Sequence, residues 1–272
     1  MKVLLLGKNG QLGYELAKQL PAIAQVVALG REELDLTELN AVVHAVQAHQ
    51  PDVIINAAAY TAVDKAETDQ VNCYLINAAA PSMLASEAKK IGALLIHYST
   101  DYVFDGCKTT PYEPTDTPNP INYYGYSKLM GEEGIKYSGC DYLIFRTSWV
   151  YHPDYGNNFY RTMQRLAKER EVLNIVSDQH GIPNDARDLA ADTVKLLQQP
   201  LAQLKAQFGI YHLTAGLAHQ TTWHGFAKAI IGAMPEKVCQ QVNPIPTSSY
   251  PTPAKRPMWS VMEKCLPKAS IQ

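Results

Sequence analysis

Short apolar runs alternate with longer amphipathic stretches through the first half of the chain. The runs are "KVLLLG", "QVVALG", "DVIINAA", "ALLIHYS" and "YLIFRTS". After the first of them, Leu12, Leu16 and Leu20 recur at helical spacing, and the segments 37–49 and 70–90 read as further helices. Strand-length apolar runs separated by helix-length segments are the pattern of buried parallel strands joined by crossover helices. The expected fold is α/β, a doubly wound parallel sheet of Rossmann-like type, over residues 1–150.

After Trp149 the texture changes. The pattern predicts a helix over 157–170, a strand in "EVLNIVSDQ" and a helix over 186–199 that returns to the first domain. The segment "NPIPTSSYPTPAKRP" carries five prolines and predicts loop. Residues 151–185 and 213–272 therefore read as a smaller, discontinuous substrate-binding lobe, and clefts between lobes are where ligands usually sit.

Composition narrows the class. Lysine plus arginine total 24 against 26 acidic residues, so the chain lacks the basic excess that non-specific nucleic-acid or anionic-membrane binding needs. Its five cysteines are scattered, without C-x-x-C, which points to a reducing cytoplasm. The opening "MKVLLLGKNG" is too short an apolar run for a signal peptide or a membrane span. The eight histidines show no metal-ligand spacing, so no metal site is expected, and His97 reads as a satisfied core residue.

Candidate chemistry begins at "GKNGQLG", where Gly7, Gly10 and Gly13 follow the first strand and open the first helix. Glycines there permit a tight turn and let backbone approach a pyrophosphate, which rests on the helix N-terminus. The spacing is G-x-x-G-x-x-G, looser than the common dinucleotide fingerprint. The second strand ends at Gly30 and Arg31 with no carboxylate at its tip, which favours NADPH over NADH, although Glu32, Glu33 and Asp35 follow closely.

The stretch "INYYGYSKLMGEE" then offers three tyrosines and a lysine. Tyrosine and lysine four residues apart share a helix face, and the cation can lower the phenol's pKa for proton exchange with a substrate oxygen. With 16 tyrosines in the chain the spacing alone decides nothing: it occurs at Tyr14/Lys18 and at Tyr124/Lys128. The upstream "ALLIHYSTDYVFDG" places Ser99, Thr100 and Asp101 at the end of a strand, on the edge that faces the ligand crevice in open parallel sheets. Tyr123 and Tyr126 read as packing or surface aromatics, Glu132 and Glu133 as a solvated helix face, and Asp64 and Glu67 as the start or cap of a helix.

Together, the glycine loop, "NAAAYTAVDKAE", "STDYVFDG", "YYGYSKLMGEE", "FRTSWVY", "GNNF", "DQHGIP" and "SYPTPAKRP" resemble the extended short-chain dehydrogenase/reductases, and the likeness runs through nearly the whole chain. Within that group it looks like the reductases of dTDP-activated 4-keto sugars. The resemblance implies reduction of dTDP-6-deoxy-L-lyxo-4-hexulose to dTDP-L-rhamnose with NADPH, or NADH as the other candidate, by a monomer or homodimer.

It also implies the site. Tyr124 would donate the proton, Lys128 would activate it and anchor the ribose, and Thr100 would supply the orienting hydroxyl. Cofactor contacts would come from Gly7, Gly10, Gln11, Leu12, Gly13, Arg31, Asp35, Leu36, Ala59, Tyr60, Thr61 and Tyr98, with Tyr124 and Lys128. Thr100, Asp101, Trp149 and Arg256 would hold the dTDP-sugar, Arg256 at its diphosphate. Two departures stand out. Asn184 replaces the family's threonine after "G-x-P", and the sequence ends at "VMEKCLPKASIQ", where relatives continue into a further helix, so metal-bridged dimers are not expected. Two rival readings remain: an epimerase on the same scaffold that retains NAD, and an NADP-binding regulatory subunit without turnover.

Overall fold

Strand β1 (Lys2–Leu6) sends alternate side chains to opposite sides, and both sides are buried: Val3 and Leu5 enter one apolar core, Leu4 and Leu6 the other. That is why its sequence is an unbroken apolar run rather than an alternating one. The computed structural model describes residues 1–268. After β1 come α1 (Gln11–Gln19), β2 (Gln25–Leu29), α2 (Leu39–His49), β3 (Val53–Asn56), α3 (Val63–Ala66), α4 (Gln70–Tyr74), α5 (Ala80–Ile91) and β4 (Leu94–Thr100). Next are α6 (Tyr123–Ser138), β5 (Asp141–Thr147), β6 (Val150–Tyr151), α7 (Phe159–Glu169), β7 (Val172–Val176), β8 (His180–Gly181) and β9 (Asn184–Asp185). The chain continues through α8 (Ala186–Leu197), α9 (Leu201–Ala206), β10 (Gly209–His212), β11 (Thr221–Thr222), α10 (Trp223–Gly232) and β12 (Gln241–Ile245).

Six of these strands form one parallel sheet in the order β2-β1-β3-β4-β5-β10. Helices α1, α8 and α9 cover one face and α2, α5 and α6 the other, the doubly wound arrangement that the alternating pattern predicts. The winding reverses between β1 and β3, so the turns after these two strands face each other at the sheet's C-terminal edge. Helix α8 returns to this layer, where Thr193 bonds the Tyr98 hydroxyl at 2.7 Å.

A smaller body follows β5. Helices α7 and α10 pack with the parallel pair β7–β12 around Met163, Leu173, Phe226, Ile230 and Ile231. The proline-rich segment is loop for most of its length, although its first residues complete β12. Buried His152 joins the two bodies by donating to Glu15 of α1 at 3.0 Å, and Asn158 donates to the Gln11 side chain at 2.7 Å. No helix among the described residues is long and apolar enough to cross a membrane.

Candidate active site

The glycine loop is shaped by close approach. Gly7 has φ +86°, and a Cβ there would lie 2.6 Å from the Ala58 nitrogen; a Cβ on Gly13 would lie 2.0 Å from the Gly7 carbonyl oxygen. Gly7 thus brings the β1 turn against the β3 turn, while Gly13 seats α1 on the loop. Gly10 stands at the N-cap of α1 and offers no side-chain cap, leaving the helix's first amides to meet an anion.

Around this turn opens a cleft of about 590 Å³. It is lined by Gly7, Gly10, Gln11, Leu12, Arg31, Asp35, Leu36, Ala59, Tyr60, Thr61, Tyr98, Tyr124 and Lys128. The structure therefore brings together the sequence-derived cofactor set with one exception: Gly13 lies behind the lining as a packing position. These features suit a dinucleotide, with backbone and a helix terminus for the pyrophosphate and a basic rim for the far ribose.

At that rim Arg31 is largely exposed and its Nε lies 3.5 Å from Asp35. The neighbouring carboxylates are already engaged. Asp35 accepts from the Thr37 amide and hydroxyl at 2.9 and 2.8 Å, which lowers its pKa. Glu33 accepts from Lys8 at 2.5 Å and from the Gly30 amide at 2.8 Å, and Lys8 chiefly lowers its pKa. Lys8 was not foreseen as part of this rim; its position inside the glycine loop was the available signal. Asn77, also unforeseen, clamps the Tyr60 backbone by accepting from its N–H at 2.9 Å and donating to its carbonyl at 3.1 Å.

The candidate catalytic residues sit where β4 and β5 end. Asn122 caps α6 by accepting from the Gly125 amide at 2.7 Å. Gly125 itself allows the helix to press on the turn after β4, since a Cβ there would lie 2.1 Å from the Tyr102 carbonyl oxygen. This contact brings Tyr124 near Thr100, whose hydroxyl donates to Asp101 Oδ1 at 3.0 Å and accepts from the Tyr102 amide at 3.1 Å. Burial raises the Tyr124 pKa, and the Thr100 hydroxyl only partly opposes it.

Lys128 follows one helical turn after the tyrosine. The lysine is buried and donates to the Tyr98 carbonyl at 2.7 Å, with Nζ 3.2 Å from His97 Nε2. Burial brings its own pKa down to about 8. The hydrogen bonds of Nζ to described residues run down to β4 rather than across to the phenol.

Two hydroxyl or carboxyl groups at the strand ends lack partners among the described residues: Thr147 Oγ1 and Asp101 Oδ2. Thr147 lines the cleft, opposite Thr100 in the β4–β5 register, and the end of "FRTS" was its only signal. Asp101 is buried, and desolvation pushes its carboxyl up to about 7. The Ser260 hydroxyl is near but points to the His180 carbonyl, at 3.3 Å. Unpartnered polar groups in a buried setting are costly unless a ligand completes them.

The expected sugar contacts are more dispersed. Thr100, Asp101, Trp149 and Arg256 lie outside the dinucleotide cleft. Trp149, with φ +44°, stacks on Trp223 at 3.5 Å and joins the aromatic core of the smaller body. Arg256 is not free: it grips Asp64 with two bonds of 2.5 and 2.8 Å beside Tyr102, whose ring meets Tyr124 edge-on. Asp64 is therefore a partner of Arg256, and Glu67 supplies the helix start instead, accepting from the Tyr123 amide at 2.9 Å.

Glu132 overturns the expectation of a solvated face. It is fully buried and binds Arg146 at 3.0 and 2.7 Å and Ser99 at 2.5 Å. Its neighbour Glu133 does face outward, paired with Lys136. Asn184 is a backbone brace, donating to the Ser148 and Ile182 carbonyls and accepting from Ala215 N–H at 2.6 Å. The expectation attached to the end of the sequence, residues 269–272, lies outside the described residues.

Comparison with known proteins identifies the group. The family profile of the RmlD substrate binding domain matches residues 1–270. The dTDP-4-dehydrorhamnose reductase of Burkholderia thailandensis is 48% identical over 272 residues, covering 96% of this chain and 90% of that protein. The chain belongs to the dTDP-4-dehydrorhamnose reductase family. Its relative from Salmonella typhimurium is 42% identical, over 94% of this chain and 87% of that protein. Among solved structures, the dTDP-4-dehydrorhamnose reductase of Bacillus anthracis in complex with NADP superposes with a TM-score of 0.89 at 38% identity, covering 97% of this chain and 90% of the other.

Proposed function

We propose that this chain reduces dTDP-4-dehydro-L-rhamnose (dTDP-6-deoxy-L-lyxo-4-hexulose) to dTDP-L-rhamnose, using NADPH. The observation that carries the reading is the convergence of Thr100, Tyr124 and Lys128 at the sheet edge where the dinucleotide cleft ends. NADPH is favoured by the exposed Arg31 and by nearby carboxylates already held by Lys8, Gly30 and Thr37. The reductase names and the bound NADP of similar proteins support the same choice.

When bound, the dihydronicotinamide supplies the hydride. The chain's part is then proton and oxygen management. Thr100 and Tyr124 hold the C4 carbonyl oxygen, and Tyr124 gives its phenolic proton to that oxygen as the alkoxide develops. The high pKa set by burial makes the phenol the resting form, suited to a donor. Lys128, buried below, binds the nicotinamide ribose and stabilises the phenolate left after transfer, which regains a proton from water. Asp101, Trp149 and Arg256 flank the sugar and diphosphate, Arg256 coming from the lobe of residues 151–185 and 213–272 and the other two from the ends of β4 and β5.

The test is NADPH oxidation with enzymatically generated dTDP-4-keto sugar, beside NADH and a no-sugar control. Rapid oxidation that yields dTDP-L-rhamnose is expected. Tight cofactor binding without any turnover would defeat the reductase reading and favour a regulatory role.

A further inference from the structure

Beneath the tyrosine lies a buried chain of polar groups that this mechanism leaves unexplained. His97 pairs with Asn56 in the β3–β4 register, and both are fully buried. His97 Nδ1 is 3.1 Å from Asn56 Nδ2, and its Nε2 is 3.2 Å from Lys128 Nζ. The Asn56 amide is oriented by its other bond, in which Oδ1 accepts from the Ala58 N–H at 3.2 Å. Its NH₂ therefore faces the ring. An amide NH₂ only donates, so Nδ1 must be the bare nitrogen.

Burial and the adjacent lysine keep the ring neutral. Its single proton then belongs on Nε2, aimed at Lys128. An ammonium cannot accept that bond, whereas a neutral amine can, while still donating to the Tyr98 carbonyl at 2.7 Å. Turning the Asn56 amide would merely move the conflict, setting its NH₂ against the Ala58 N–H.

We propose that the Asn56–His97 pair controls the protonation of Lys128, making its ammonium easier to deprotonate and so fixing the alkaline limb of activity. His97 is thus a positioning residue that acts through Lys128. The other titratable or charged groups facing the lysine are Glu132 and Tyr124 on α6 and Cys73 on α4. Glu132 favours the ammonium, but Arg146 on β5 neutralises it. The hydrogen bonds to Nζ from described residues are those with Tyr98 and His97. The inference rests on the reading of Tyr124 and Lys128 as the catalytic pair.

The test separates the two. Ring ¹⁵N spectra of the free protein, taken across neutral and mildly alkaline pH, should show His97 neutral with its proton on Nε2. The Nδ1–H tautomer, or an imidazolium, would overturn the proposal without any variant being made. His97→Gln offers Nζ an oxygen in place of the N–H. The Lys128 ¹⁵Nζ titration and the alkaline limb of kcat/KM should then both move up by about one pH unit or more. A merely structural histidine would change turnover or stability and leave the titration where it was, which would equally overturn it. Should the protein reduce no dTDP-sugar, the spectra and the Nζ titration still decide the proposal on their own.

Discussion

The two ends of this site are assembled differently. At the dinucleotide end, Gly7, Gly10, Gln11 and Leu12 follow one another along a single strand–turn–helix, and local chain geometry sets most of their placement. At the sugar end, Thr100, Trp149 and Arg256 come from a strand tip, a strained turn and the proline-rich loop. There every position depends on long-range contacts, such as Asn122 donating to the Lys255 carbonyl at 2.7 Å. The first end is built by backbone and the second by side chains. A mutation at the first should therefore act on folding and cofactor, and one at the second on sugar recognition.

The largest effect should come where the two ends meet. Tyr124→Phe removes only the proton that the alkoxide receives, so turnover should fall on the order of 10²–10⁴ while NADPH affinity is kept. Turnover close to wild type would remove Tyr124 from the donor role. Gly13→Ala, within the backbone-built end, drives a methyl to 2.0 Å from the Gly7 carbonyl oxygen. Relief requires moving α1 off the loop, at about 1–3 kcal/mol or more, and fluorescence titration should show NADPH binding weakened along with stability. Equal stability with intact binding would mean that the close approach is not required.

This asymmetry explains what could be read from the sequence. The sheet and the glycine loop were legible because their signals are local: apolar runs of strand length and glycines at a strand–helix turn. Glu132 was misread because its partner, Arg146, belongs to the next strand, and nothing in "KLMGEE" distinguishes a buried glutamate from the half-buried Glu133 beside it. The bonds of Lys128 to Tyr98 and His97 were not legible, since the pairing of β3 with β4 that sets Asn56 beside His97 is a tertiary fact. Asn184 belongs to the same class. Its amide joins three backbone segments, so Asn184→Ala should cost about 1–3 kcal/mol in denaturant unfolding, with Trp149 losing its support and the sugar KM rising.

Titration offers a way to sharpen the comparison, because the two ends carry opposite anomalies. Asp101 is raised from 3.8 to about 7, so the folded chain holds that proton when the unfolded chain has released it. Its contribution to stability is complete at low pH and is lost as pH rises between those values. Lys128 is lowered from 10.5 to about 8, so its contribution is complete above 10.5 and is lost as pH falls towards 8. Chemical denaturation along the pH scale should show the first slope vanish in Asp101→Asn and the second in Lys128→Met. Slopes unchanged in both variants would show that neither group titrates anomalously.

The smallest effect, and the finest cut, concerns Arg256 and Asp64. The pair is partly exposed, with 18% and 41% of the two side chains accessible, so breaking it should cost at most about 1 kcal/mol of stability. Its value lies in the sign of the kinetic change. If Arg256 turns from Asp64 to the diphosphate when the sugar binds, the carboxylate competes with the substrate for one guanidinium. Asp64→Asn should then lower the sugar KM modestly, whereas Arg256→Met should raise it, with NADPH affinity unaltered in both. If the pair only fastens the proline-rich loop over Tyr102, both variants loosen the same fastening and KM must rise in each. The two variants therefore distinguish a ligand-gripping arginine from a structural clasp by direction alone, at a position where the stability change would be too small to tell them apart.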